Sequence, residues 1–408
     1  MSRTARIAIL CVSAAIFCYV GLGHVLGGTQ DDKAYKSLTV YGEVLQKIQQ
    51  DYVDEPNLHQ VTAGALHGLL ESLDPASSYL TPREYTEYKE KLASHAAGET
   101  GLTLSKRYGY IIVVSVLPES PAEKAGVRSG DILESIAGFT TREMSVGQAE
   151  NLLHGQQGTG VKVGVVRRGK TDPDMIDLVR EKLAPAKMVA EKVDPDILAL
   201  RLPTLEPGRA DEVRNRLLEA EKQGIHKVVI DVRDCGRGPA SEGIAIARLF
   251  VSSGTLATLR GQTVSTEVFS ADPSKVVWKG PVSVLIDGTT SGAAEVLASA
   301  IAANHRGDVV GERTFGLASE QKVIPLEDGA GLILTVANYF NPSGKSILEE
   351  GVVPTEVVSA SAADDSGDGD SASSDDQQGP AEPRPLSPED PVFKKAIDLL
   401  KTPAKKAA

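Results

Sequence analysis

Thiols and aromatic rings are scarce in this chain of 408 residues, which has three Cys, one Trp and only 4% Phe, Trp and Tyr combined. Two of the cysteines, Cys11 and Cys18, fall inside an apolar run near the amino end. Cys235 therefore has no partner in the rest of the chain, and a disulfide framework is excluded. A lone Cys of this kind reads as a small buried residue rather than a nucleophile. Few rings imply an aliphatic core rich in Ala and Gly, which suits helices packed closely on sheets. An excess of cations is missing too: Lys plus Arg number 43 against 55 Asp plus Glu, a formal net charge of −12. Nucleic acid, which needs a cationic face, is thereby argued against as a partner. No metal-ligand cluster, phosphate loop or dinucleotide fingerprint is visible, so neither a metal nor another cofactor is expected. What is present, 41% hydrophobic residues, excludes wholesale disorder.

The charge is uneven. Residues 361–390 hold nine acids against Arg384 alone, a net of −8 out of the −12. The stretch is also rich in Ser, Gly and Pro and reads as a solvated tail over 359–408. Near its end, Val392, Phe393, Ile397 and Leu400 recur at helical spacing, so a short terminal helix and a frayed end both stand as readings. At the amino end, Arg3 and Arg6 precede an apolar run from Ile7 to Leu26. About 20 residues at about 1.5 Å each cover a hydrocarbon core of about 30 Å. With no Ala-x-Ala site beyond it, the run (1–30) reads as an uncleaved signal-anchor, a cleaved signal peptide being the alternative. The expected location is a bacterial inner membrane, crossed once, with the rest of the chain in the periplasm or extracytoplasmic space.

Residues 31–97 read as helical, with Leu38, Tyr41, Leu45, Ile48 and Tyr52 on one stripe and Leu66, Leu69, Leu70 and Leu73 on a second. These are expected to cap something larger, and Asp74-Pro75 to stop the second helix. Residues 98–185 turn to short β-rich runs, Tyr110 to Val116 and Val161 to Arg167, with a Gly130-Asp131 turn and a helix capped by Ser145. Residues 186–358 alternate strands and helices, including a strand Val282 to Ile286 and an Ala-rich helix Ala293 to Ala303. That alternation favours a mainly parallel sheet with its site at the carboxyl ends of the strands.

The segment "SPAEKAGVRSGDILESIAG" resembles the PDZ domains of bacterial proteases. Such a domain binds an extended peptide by strand addition and holds its terminal carboxylate on backbone N–H groups. The resemblance places that loop at Gly101, Leu102 and Thr103, unless the domain serves only as a packing lid. Seven blocks in order, among them "SLDPASSYL", "VVIDVRD", "VGERTFG", "NYFNPSGKSI" and "GVVPTEVV", make Leu38 to Val358 similar to the C-terminal processing serine peptidases. The implied fold is a helical amino-terminal region, a PDZ domain and an α/β core of the crotonase and Clp-protease kind.

That family is implied to use a Ser/Lys dyad, the Ser three residues before a Glu and the Lys 25 residues after the Ser, with a Gln four further on. A Ser hydroxyl needs a base in reach, and a desolvated Lys of lowered pKa serves. Counting back from Glu295 puts Gly292 at the nucleophile position, and Leu317 follows Gly316 where the Lys belongs; Gln321 stands in its expected place. Both dyad side chains are missing together. Ser291, Lys322, His226 and His305 are poor substitutes, by register, by strand alternation or by distance along the helix. In the oxyanion region, Arg233-Asp234-Cys235-Gly236-Arg237-Gly238, Gly238 is the candidate backbone donor, whereas Asp234 and Arg237 put charge where the family is neutral.

The leading expectation is a membrane-anchored homologue that binds protein or peptide C-termini through its PDZ domain. It would be proteolytically inactive and act in binding or regulation outside the cytosol, with an active peptidase paralogue as a further expected partner. The alternatives are an active endopeptidase with Ser291 as displaced nucleophile, and a purely structural envelope protein. Ser291 has a bland role open to it as an N-cap residue.

Overall fold

The computed structural model describes residues 31–94, 97–167, 170, 172–359, 386 and 389–402. The amino-terminal run expected to anchor the chain, and nearly all of the acidic tail, lie outside these residues. Among the described residues no helix is long and apolar enough to cross a membrane.

The chain divides into two units, residues 1–65 and 66–408. The first contains the helix Asp31–Asp51. Along its apolar stripe Leu38 is 63% exposed and Tyr41 is exposed, whereas Leu45 and Ile48 are half-buried.

The second unit begins within the helix Leu58–Glu71. Asp74 then closes a tight turn, its Oδ1 accepting from the N–H groups of Ala76 at 2.9 Å and Ser77 at 2.8 Å. Next comes a strand of three residues, Ser78–Leu80, which adds antiparallel to the long strand Gly331–Phe340. Thr81 starts the helix Pro82–Ala93 through a reciprocal cap with Glu84.

The PDZ region holds five main antiparallel strands, Leu102–Arg107, Tyr110–Val116, Ile132–Ile136, Gly160–Val166 and Asp174–Val179, hydrogen-bonded in that spatial order. Leu102–Arg107 is an edge strand. The helix Val146–Leu153 is capped by Ser145, as its sequence suggests, with Gln148 completing the reciprocal box. Leu104, Ile111, Val113, Leu133, Ala149 and Val163 form the aliphatic core of this region.

The α/β core is built on a six-stranded sheet in the order Val189–Asp194, Ile197–Arg201, Lys227–Asp231, Val282–Ile286, Asp308–Gly311, Glu356–Val357. The first pair is antiparallel and the rest parallel. Successive residues of a strand face opposite sides, and in the four inner strands both sides are buried. Leu200, Ile230, Val284 and Ile286 meet the helices Arg209–Lys222, Ala240–Arg248 and Ala293–Ala303. Ile197, Ala199, Val229, Leu285 and Val310 meet the terminal helix Pro391–Lys401. Of the two readings of this last segment the helix is the one observed, and it docks: Val392, Phe393, Ala396 and Leu400 are buried. Asp390 caps it by accepting from Val392 N at 3.0 Å and also pairs with the buried Arg233, whose guanidinium grips Asp231 at 2.8 and 2.9 Å.

Candidate functional site

The carboxyl ends of the parallel strands converge on three loops, 232–239, 287–292 and 312–318. The middle loop is pinned by Asp287, whose Oδ1 accepts from Thr289 N at 3.0 Å and Thr290 N at 2.9 Å, and by Thr290 Oγ1, which donates to Val232 O at 3.0 Å. Its last residue, Gly292, sits at φ 60° and ψ −119° and is the N-cap of the helix Ala293–Ala303. This corrects the N-cap role considered for Ser291. Positive φ carries the chain one residue further before the helix begins, and the helix-side partner is the Glu295 carboxylate, accepting from Gly292 N at 2.8 Å.

Glu295 is fully buried and ties two loops together. Its carboxylate accepts from Thr314 Oγ1 at 2.5 Å, Gly316 N at 2.6 Å and Leu317 N at 2.7 Å as well as from Gly292. Positions 292 and 317 are thus held against one side chain. Burial pushes the Glu295 carboxyl up to about 7, and the Thr314 hydroxyl and the three N–H groups pull the other way. A folded-state value above the ordinary 4.5 means that the native state binds this proton more tightly than the unfolded chain. The associated stability is complete below about pH 4.5 and is lost as pH rises through about 7, on the order of 3 kcal/mol in all. Glu295→Gln is expected to flatten the pH dependence of the unfolding free energy across that window; an unchanged slope in denaturant titrations would contradict this.

Ser291 is 2% exposed. Its N–H donates to Cys235 O at 2.9 Å, but its Oγ is buried and makes no hydrogen bond to any described residue. Cys235 is buried and its thiol is pushed up to about 12, chiefly by burial, so the lone thiol is a core residue and not a nucleophile at neutral pH. Lys322 is exposed on the strand Ser319–Pro325, His226 precedes the strand Lys227–Asp231, and His305 follows the helix Ala293–Ala303.

A cavity of about 350 Å³ runs over this ground. Gly292, Ser291, Leu317, Gln321 and Gly238 all line it, and so do Thr103, Leu104 and Ser105 of the PDZ edge strand and Val146, Gly147 and Glu150 of the PDZ helix. The peptide groove of the PDZ fold and the dyad positions therefore share one space. Of the loop residues inferred to hold a carboxylate, Thr103 lines the cavity; Leu102 turns into the PDZ core, and Gly101, at φ 89°, lies against Ser120. A Cβ on Gly101 would come within 2.2 Å of Ser120 Cβ, so only Gly fits. Gly238, at φ 121°, donates its N–H to no described residue.

Sequence reasoning passed over Glu150 and Glu320, which both line the cavity. Glu150 is the only charge in Ser145–Leu153, a signal that was there to use. Glu320 had none: it shares the cavity with its neighbour Gln321 because the pairing register shifts between them, and such a bulge re-aims a side chain. The charged substitutions in the oxyanion loop also find partners. Arg237 pairs with Glu99, and Ser129 Oγ donates to Asp234 at 3.4 Å. Arg107 adds a hydrogen bond to Phe315 O at 2.5 Å and lies 3.8 Å from the Phe315 ring.

Comparisons with known proteins agree with this geometry. Residues 196–358 match the model of peptidase family S41 and residues 112–167 that of the PDZ domain. The carboxyl-terminal-processing protease of Picosynechococcus sp. is 31% identical over 339 residues, which cover 76% of this chain and 80% of that protein. The carboxy-terminal-processing protease of Bartonella bacilliformis is 28% identical over 333 residues, 80% of this chain and 76% of that one. Among solved structures, the photosystem II D1 C-terminal processing protease superposes with a TM-score of 0.65 at 26% identity, over 79% of this chain and 92% of that one.

Proposed function

The chain belongs to the carboxy-terminal processing peptidases, and from that premise we propose that it binds the C-termini of peptides through its PDZ domain without cleaving them. One observation carries the second half: the hydroxyl adjacent in the chain to the nucleophile position, Ser291 Oγ, is buried without a hydrogen bond to any described residue. A Ser hydroxyl unassisted by a base is a poor nucleophile, and Leu317, where the family has its Lys, neither takes a proton nor carries charge. The first half is supported by the unpaired edge of Leu102–Arg107 beside the helix Val146–Leu153, which suits strand addition of an extended peptide. We further propose that the protein is held by Ile7–Leu26 at a bacterial inner membrane, its folded part outside the cytosol, and that it acts there in binding or regulation beside an active relative.

Purified protein incubated with β-casein is expected to leave the substrate intact, and Ser291→Ala to change nothing. Casein degradation that Ser291→Ala abolishes would overturn the proposal and make Ser291 the nucleophile. Titration with peptides that end in a free carboxylate is expected to saturate; a complete lack of saturable binding would favour a purely structural role.

A further inference from the structure

The shared cavity has an unusual balance of charge. Its lining includes two carboxylates, Glu150 from the PDZ helix and Glu320 from the strand Ser319–Pro325, and no Lys, Arg or His. Glu320 accepts one hydrogen bond, from Tyr339 Oη at 2.7 Å. The Glu150 carboxylate has no hydrogen bond or ion pair with any described residue. Two neighbouring basic side chains turn to Glu99 instead: Arg237 pairs with it, and His154 Nε2 lies 3.8 Å from it. Tyr88, from the helix Pro82–Ala93, also neighbours Glu150 and brings no positive charge. Burial pushes the Glu150 carboxyl upward, partly offset by His154 and Arg237. Two hydroxyls in the same lining are also left over, Ser105 Oγ and Ser291 Oγ, both buried and both without a hydrogen-bond partner among the described residues.

A half-buried carboxylate, a second carboxylate at the exposed rim and two buried, unused hydroxyls around one space leave acceptors in need of donors. We propose that this cavity is the pocket for a cationic side chain, Lys or Arg, of the bound peptide, with Glu150 as the residue that determines the specificity. This rests on the peptide-binding half of the reading above. A strand added along Leu102–Arg107 presents alternate side chains to one side. One of them enters the cavity, its ammonium or guanidinium donating to Glu150 and Glu320. Acidic side chains at the same position meet two like charges and are rejected.

The test uses the purified protein and fluorescein-labelled peptides that end in a free carboxylate. The peptides are identical except that one of the last four residues is Lys, norleucine or Glu. Fluorescence anisotropy is expected to show, at one of those positions, Lys binding about tenfold more tightly than norleucine, the scale of one charge-assisted hydrogen bond, and Glu binding most weakly. In Glu150→Gln the Lys and norleucine affinities should converge, and in Glu150→Lys the order of Lys and Glu should invert. Equal affinities for Lys and norleucine at all four positions in the unsubstituted protein, with binding still saturable, would overturn the cationic pocket and leave the peptide-binding reading standing. Absence of saturable binding for every peptide would remove both. The comparison among peptides needs no variant, so misfolding of a Glu150 substitution does not decide it.

Discussion

A chain carrying Gly292→Ser together with Leu317→Lys is expected to degrade β-casein at a rate about 100-fold or more above the parent, because catalytic groups that act as a unit return together. The frame for both is in place. A Cβ at position 292 would meet no heavy atom within 4 Å, so a Ser side chain has room over the cavity. Glu295 already holds the backbone N–H groups of 292 and 317 at 2.8 and 2.7 Å, which fixes the two attachment points with respect to one another. Lys at 317 would stand in a half-buried position on the cavity wall, where partial desolvation lowers an ammonium pKa toward that of a usable base. Ser at φ 60° and ψ −119° departs from the ordinary regions and costs about 1–3 kcal/mol, so Gly292→Ser should lower the unfolding midpoint. Neither substitution alone is expected to raise the rate, since one leaves the hydroxyl without a base and the other a base without a hydroxyl. A folded double variant with no more activity than the parent would show that the oxyanion loop, with its Arg237–Glu99 pair, also stands in the way.

Much of this frame is legible in the residues themselves. Val282–Ile286 and Ala293–Ala303 begin and end where the sequence puts them, because a short apolar run, a Gly/Thr turn and an Ala-rich stretch are strong local signals. The family resemblance implies a spacing from Glu295, Gly316 and Gln321, and counting along the chain by it assigns the dyad positions to 292 and 317. What was hidden depends on partners far along the chain. The strand Ser78–Leu80 is too short to show a period and exists by pairing with Gly331, Leu332 and Ile333. Periodicity raised a helix at Pro391–Lys401, but its docking depends on a sheet face left open by the topology, which no local pattern reveals. Ser291 misled for a local reason: a Ser before a helix is normally its cap, and only the positive φ of Gly292 moves the cap one residue on.

Ending the chain after residue 388 should therefore cost the fold far more than the loss of a tail would. The terminal helix buries Val392, Phe393 and Leu400 to 5% exposure or less. At about 1.5–3 kcal/mol for each such side chain, their removal approaches the whole stability of an ordinary domain, about 5–15 kcal/mol. It also uncovers Ile197, Val229, Leu285 and Val310 in the middle of the sheet. The surface pairs Lys401–Asp194 at 2.8 Å and Lys395–Glu356 at 3.1 Å go as well, but exposed pairs contribute about 0–1 kcal/mol each, so apolar burial decides the outcome. Phe393→Ala isolates that part and is expected to cost about 3–5 kcal/mol. Asp390→Ala is expected to cost about 1–2 kcal/mol for the cap and more for the ion pair, with Arg233 keeping Asp231 as its second partner. Denaturant unfolding followed by circular dichroism orders the three, truncation greatest. A truncated chain that unfolds at the parent midpoint would mean that the helix merely rests on the sheet. A large loss would make the segment beyond the acidic stretch a structural part of the core, so that proteolytic removal of the tail would unfold the site as well as shorten the chain.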